Sequence, residues 1–237
     1  MLIDPTTLTD DLDRLEAIEK SSLRLVTQAL FDYKKTAAYI FKNETDTVAD
    51  IGEDITREAL DRMGMSRIDQ RLFGKTDYKR AAYLFLPDFA VRQALFVDSK
   101  AESGADSVAR IQITQLSMRV RQVRQGKELD IPGRIPTVLT LPTGQQYLST
   151  TIFVKYSYRE IEGIRELLRI TTVALPNGLL QQKYNPTALD TVFVAGPNAP
   201  SLGEEFRTRL SFPLLQQKAK WRVQKIAVND DLLTWVD

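Results

Sequence analysis

GKTDYKRAAYLFLPDFAVRQALFVDSKAES, residues 74 to 103, decides how this chain is read. Tyr78 to Leu86 and Ala90 to Val97 are rich in aromatic and aliphatic residues, and Pro87 and Asp88 separate them as a turn would separate two strands of a hairpin. The second run ends in Asp98 and Lys100. Residues two apart in a strand share a face, so this carboxylate and this ammonium point into one cleft. A carboxylate able to hold a divalent cation, beside a lysine able to orient water, is the minimal equipment for metal-assisted phosphodiester hydrolysis.

Such a site needs a second acid. Asp88 is one choice, but the ten residues of strand between it and Asp98 span roughly 33 Å. For a turn centred near residues 87 and 88, the position opposite Asp98 is about residue 77, which is aspartate. Cross-strand partners lie roughly 5 Å apart, so Asp77 and Asp98 can share one cation. Asp88 then belongs to the turn. Glu53, in IGEDITREAL, can bring a further carboxylate from the preceding helix, although a helical glutamate in such a setting is often simply solvated.

Composition narrows the chemistry. The chain has 237 residues, 43% of them hydrophobic and 27% charged, enough to bury a core and without disordered bias. With no cysteine and no histidine, disulfides, Cys/His zinc sites, thiol nucleophiles and His-based triads are excluded. No apolar run approaches the roughly 20 residues that span a bilayer. Residues 1 to 13 are acidic, unlike a signal peptide. A cytoplasmic location, bacterial or archaeal, is expected. Net charge is only +1, yet Arg110, Arg119, Arg121, Arg124, Lys127 and Arg134 crowd one segment while the first twenty residues are acidic. Segregated charge permits a local cationic cleft.

No linker or composition shift divides the chain, so a single domain over 1–237 is expected, with N-terminal helices and a catalytic hairpin at about 76–101. Apolar residues from Leu12 to Phe41 recur at three and four steps, predicting one or two helices over Thr9 to Asn43; Asp46 to Met63 reads as another, stopped by Gly64. Ser107 to Gly126 reads as mostly helical. Tyr147 to Tyr158 and Leu168 to Leu175 read as strands joined by a short helical turn around Arg159 to Glu166. Late strands fall near Val192 to Val194, Phe206 to Phe212 and Trp221 to Val228. The fold class is α/β (α+β): a mixed central β-sheet flanked by helices.

The chain also resembles the SfiI-type restriction endonucleases, within the PD-(D/E)xK nucleases, over nearly its whole length. The matching pieces, in the family's order, are LEAIEKSSLRLVTQAL near the start, EDITREAL at 53–60, FGKTDYKR at 73–80, LFVDSKAES at 95–103, TIFVKYSYRE at 151–160 and LPNGLLQQKYNP at 175–186. In that family the upstream acid lies in an IDYK-like segment, here Thr76 to Lys79, which agrees with Asp77. The resemblance implies a restriction-endonuclease-like core and a Mg²⁺-dependent type II enzyme. Its substrate would be a palindromic, GC-rich site in double-stranded DNA, interrupted by unspecified bases. A homotetramer, a dimer of dimers engaging two DNA sites, is implied as well. Departures include Ser99 and a longer segment between Lys100 and Gln112.

On this reading Asp77, Asp98 and the Ser99 carbonyl hold Mg²⁺, Lys100 positions the attacking water, and cleavage leaves a 5′-phosphate. Arginine to guanine is the commonest specific base contact, and Arg207 and Arg209, two apart in a predicted strand, could project both forks from one face. Arg110, Gln112 and Gln115 are further DNA-binding candidates, and Lys183 sits in a polar turn that could approach the backbone. Two other readings stand beside this one: a repair or junction nuclease cutting by DNA structure, and a non-cleaving DNA-binding protein on the same fold.

Overall fold

Apolar residues spaced at three and four positions set the longest element. The computed structural model describes residues 2–44, 47–64, 82–103, 107–196 and 206–237. In it a single helix, α1 (Leu12–Asn43), buries Leu15, Ile18, Leu23, Val26, Leu30, Tyr33, Ala37 and Phe41 along one stripe. Asp11 caps it by accepting from the Arg14 N–H at 3.0 Å. The second helix, α2 (Val48–Asp61), is capped by Thr47. Gly64, just past its end, takes a left-handed φ of 69°.

Strands β1 (Ala82–Leu86), β2 (Val91–Glu102), β3 (Val108–Gln112), β4 (Val120–Arg124), β5 (Lys127–Ile131), β6 (Val138–Thr140), β7 (Gln146–Ile161) and β8 (Ile164–Leu175) come next. The short helix α3 (Gln181–Tyr184), β9 (Phe193–Val194), β10 (Arg207–Ser211), α4 (Phe212–Lys218) and β11 (Val223–Ala227) follow. Among the described residues the large sheet runs β1-β2-β7-β8-β11, with β6 on β7. Its β2–β7 pair is parallel and its other pairs are antiparallel. A smaller sheet is ordered β3-β10-β9, and β4 and β5 form a hairpin. The expected mixed sheet with flanking helices is what the chain builds.

The two faces of the large sheet have different partners. Ile152, Val154 and Tyr156 of β7 join Leu95 of β2 and the buried stripes of α1 and α2 in one core. Phe153 and Val173 join Ala109, Ile111 and Leu210 of the smaller sheet in another. The period of two along each strand therefore sorts side chains between a helical layer and a β layer.

Two expectations fail for a common reason. Ser107 to Gly126 is not helical; it forms β3, a 3₁₀ turn and β4. Its apolar residues mimic helical spacing, but β3 is held by β10, about a hundred residues further along the chain. The segment around Arg159 to Glu166 continues β7 into β8, closed by Glu162 and Gly163 at φ 53° and 78°. Gln125 and Gly126, at φ 51° and 73°, close β4 onto β5 in the same way. Two consecutive left-handed residues match the twist of a tight hairpin, and glutamate and glutamine, good helix formers, disguise both turns.

One buried ion cluster ties the two ends of the fold together. Arg222, fully buried, donates to Glu19 at 2.7 Å and to Glu16 at 3.2 Å. Its guanidinium lies 4.3 Å from the ring centres of both Tyr184 and Trp221. Glu19, also buried, accepts from the Asn177 N–H at 2.8 Å. Arg222→Ala is expected to lower the unfolding free energy by about 3–5 kcal/mol, because it strands a buried carboxylate without its cation. Urea denaturation checks this, and a loss below about 1 kcal/mol would give the cluster only the value of a surface pair.

Candidate active site

Along the β-layer face of β2, the side chains change from apolar to charged in a few steps. Ala94 and Phe96 are buried against Ile135, Leu139 and Tyr147. Asp98, Lys100 and Glu102 follow on the same face, where β2 emerges from that cover. The parallel register pairs Asp98 with Phe153, Ser99 with Val154 and Lys100 with Lys155. Asp98 and Lys100 therefore share one face, as the two-residue spacing requires, and Asp98 Oδ2 is buried there. The Lys100 Nζ donates to the main-chain carbonyl of Arg110 on β3 at 3.0 Å. The Ser99 side chain is buried on the helical face, beside Val154 in the sheet.

The hairpin is longer at its turn than the sequence suggests. Pro87–Phe89 form a 3₁₀ turn, Ala90 adopts a left-handed φ of 52°, and Leu86 pairs with Val91. A turn centred on residues 87 and 88 would pair Leu86 with Phe89, so the described pairs sit two residues away from the register that sets Asp77 opposite Asp98. Asp77 itself, like the expected start of the first strand at Tyr78, lies outside the described residues. Glu53 is exposed on α2, a helix that covers the opposite face of the sheet: a β-carbon on its neighbour Gly52 would lie 3.2 Å from Tyr156 and 3.7 Å from the Ala101 β-carbon.

Four of the recognition candidates come together on the smaller sheet. Arg209 pairs with Arg110 and Arg207 with Gln112 across β10 and β3. Ala109, Ile111, Thr208 and Leu210 turn inward, leaving the other four on the outer face. Thr208 fastens this sheet to β4 by donating to Gln122 Oε1 at 2.8 Å. Gln115 is placed otherwise: it is buried, and its Oε1 accepts from the Gln112 N–H at 2.8 Å, bracing the turn after β3. Lys183 is ion-paired with Glu16. Arg119 and Arg121 both pair with Asp130, at 2.8 and 3.3 Å.

Three residues of this region escape a reading by motif. Lys155 is 1% exposed, pairs with Glu102 Oε2 at 3.2 Å and donates to the Val108 carbonyl at 3.2 Å. Glu102 also faces Arg110 Nε, at 3.7 Å. A lysine inside the apolar run TIFVKYSY was the available signal, since a cation in a buried strand needs partners. Glu102 continues the alternation of Asp98 and Lys100. Gly196 carries no local signal: a β-carbon there would lie 2.2 Å from Arg209 Nη1 and 2.3 Å from its Cζ.

Known proteins resemble this chain in sequence and fold. The family described as type II restriction enzyme SfiI matches residues 14–226. The type II restriction enzyme SfiI of Streptomyces fimbriatus is 34% identical over 234 residues, spanning 93% of this chain and 87% of that protein. The crystal structure of tetrameric SfiI bound to cognate DNA superposes with a TM-score of 0.79, at 34% identity and the same coverage. The restriction endonuclease BglI, bound to its DNA recognition sequence, superposes with a TM-score of 0.73 over 95% of each chain. At 17% identity, BglI bears on the fold alone.

The seat of Arg209 against Gly196 is open to direct test. Gly196→Ala is expected to push the guanidinium away, since the far end of a flexible side chain yields before backbone does. Urea unfolding should change by less than about 0.5 kcal/mol, and a crystal structure of the variant should show Arg209 displaced. A larger loss of stability would mean that the backbone gives way instead.

Proposed function

Since the chain belongs to the SfiI family of type II restriction endonucleases, we propose that it cuts both strands of a palindromic DNA site by Mg²⁺-dependent hydrolysis. The site would be GC-rich and interrupted by unspecified bases. The observation that carries this reading is the cleft at the end of β2, where Asp98 and Lys100 share a face directed at the strand bearing Arg110.

A bound divalent cation supplies charge that offsets the negative charge growing on the phosphate oxygens. The donors fit a hard cation: the Asp98 and Asp77 carboxylates and the Ser99 carbonyl are all oxygen, while Glu53, exposed on the helix that covers the other face, would have to reach them around the end of the sheet. Among the described residues there is no cluster of three or more acidic, His or Cys side chains able to hold a metal. The proposed set takes its second acid, Asp77, from outside the described residues. Lys100 releases the Arg110 carbonyl to hold the attacking water in line with phosphorus. As the water oxygen bonds to phosphorus the bond to the 3′-oxygen breaks; the water gives up a proton to solvent and the 3′-oxygen takes one up, leaving 5′-phosphate and 3′-hydroxyl ends.

Arg207, Arg209, Arg110 and Gln112 are proposed to read base edges in the major groove, arginine on guanine and glutamine on adenine. Gln115 supports that surface from beneath, and Lys183 lies toward the DNA backbone once freed from Glu16. SfiI is tetrameric on its cognate DNA. The same assembly, a homotetramer made of two dimers and holding two sites, is proposed here. No described helix is long and apolar enough to cross a membrane, which suits a cytoplasmic enzyme.

Incubating the protein with plasmid DNA, with Mg²⁺ or with EDTA, should give discrete bands only with Mg²⁺. Cutting by DNA structure rather than sequence would give no defined ladder, and intact DNA would favour a non-cleaving binder. Asp98→Ala is expected to abolish cleavage while leaving specific binding measurable; retained cleavage would place the metal elsewhere. Alanine at Arg207 or Arg209 should remove about 1–3 kcal/mol of discrimination against a one-base-changed site in competition binding. Equal loss on all sequences would make them phosphate contacts.

A further inference from the structure

We infer that Lys155 is a positioning residue, which together with Glu102 clamps the main chain of β3 to the catalytic strand and so couples base reading to the alignment of Lys100. The inference rests on the proposed roles of Asp98, Lys100 and the β3–β10 surface.

Among the described residues β3 is an edge strand, bonded to β10 on one side. The carbonyls of Val108 and Arg110, two residues apart, leave the other edge in the same direction. Each meets a lysine from the large sheet: Lys155 reaches Val108 at 3.2 Å and Lys100 reaches Arg110 at 3.0 Å. These two lysines are in-register neighbours on β7 and β2. Two ammonium groups side by side thus do for this edge what a further strand would do.

The two differ in what they are able to leave. Lys100 is half-buried near the end of β2, and turning to a water frees the Arg110 carbonyl. Lys155 is 1% exposed and neutralised by Glu102, so it stays where it is during the reaction. For packing alone a methionine would fill the same space without the burden of burying a charge. The ammonium adds direction: one hydrogen bond to β3 and one ion pair to β2, which also draws in Arg110 through Glu102. Arg110 lies directly opposite Arg209. A base pair that shifts Arg209 or Arg110 therefore pulls on the strand that holds Lys100.

The test uses the full chain and single-turnover cleavage of a cognate duplex and of a one-base-changed duplex, together with binding measured in EDTA. Lys155→Met is expected to bind cognate DNA within about threefold of wild type, to cleave it at least about tenfold more slowly, and to lose discrimination between the two duplexes by a similar factor. Glu102→Gln keeps volume and an acceptor for Lys155, and should show the same signature at about threefold. It also serves if Lys155→Met fails to fold. Wild-type rates and discrimination in the folded variants would overturn the inference. So would binding and cleavage falling in parallel, which is the mark of a merely structural residue. Lys100→Ala is measured alongside: if it cleaves like wild type, the proposed active site itself is wrong, and the failure does not belong to Lys155.

Discussion

The parallel pairing of β2 with β7, from Gln93 with Leu148 to Glu102 with Ser157, is the constraint from which the rest of the molecule follows. A parallel pair needs both faces covered. Here α1 and α2 cover one face and the smaller sheet covers the other. Because β2 outruns part of its cover on the second face, the same alternation that buries Phe96 brings out Asp98, Lys100 and Glu102 two residues at a time. A slip of one residue in this register would send all three charges into the helical layer beside Val154 and Tyr156.

The covering sheet has an inner face that belongs to the core and an outer face that is cationic. Its inner residues, Ala109, Ile111 and Leu210, belong to the core. Its outer ones are three arginines and a glutamine matched in cross-strand pairs. The proposed recognition and cleavage groups are thus on opposite sides of a thin layer, joined through the main-chain carbonyls of Val108 and Arg110. In a chain of net charge +1, three arginines are gathered on one strand pair, while elsewhere Arg119 and Arg121 are tied to Asp130 and Lys183 to Glu16.

What could be read in the sequence follows what is local. The stripe from Leu15 to Phe41, the stop at Gly64 and the Asp98-Lys100 spacing each depend on neighbours within a few residues, and each has the structural form expected. The pairing of Arg207 and Arg209 with Gln112 and Arg110 joins positions nearly a hundred apart, so the candidates were nameable while their meeting was not. The strand at Val108 to Gln112 was hidden for the same reason, its partner lying beyond any local window. Gln115 looked like a reader because amides suit adenine; only the tertiary turn shows it facing inward. Lys155 was visible as an oddity in an apolar run, but no spacing rule connects it to Val108.

The buried pairing of Glu19 with Arg222 spans 203 positions of sequence, so it closes only once residue 222 is in place. A chain still short of residue 222 lacks the counter-charge for Glu19, whose carboxyl burial already holds above its ordinary pKa, so α1 then buries that acid without its cation. The many pairings of distant segments place this fold among those that assemble slowly. A growing polypeptide therefore carries Asp98 and Lys100 well before Arg222 can tie α1 to the rest of the fold.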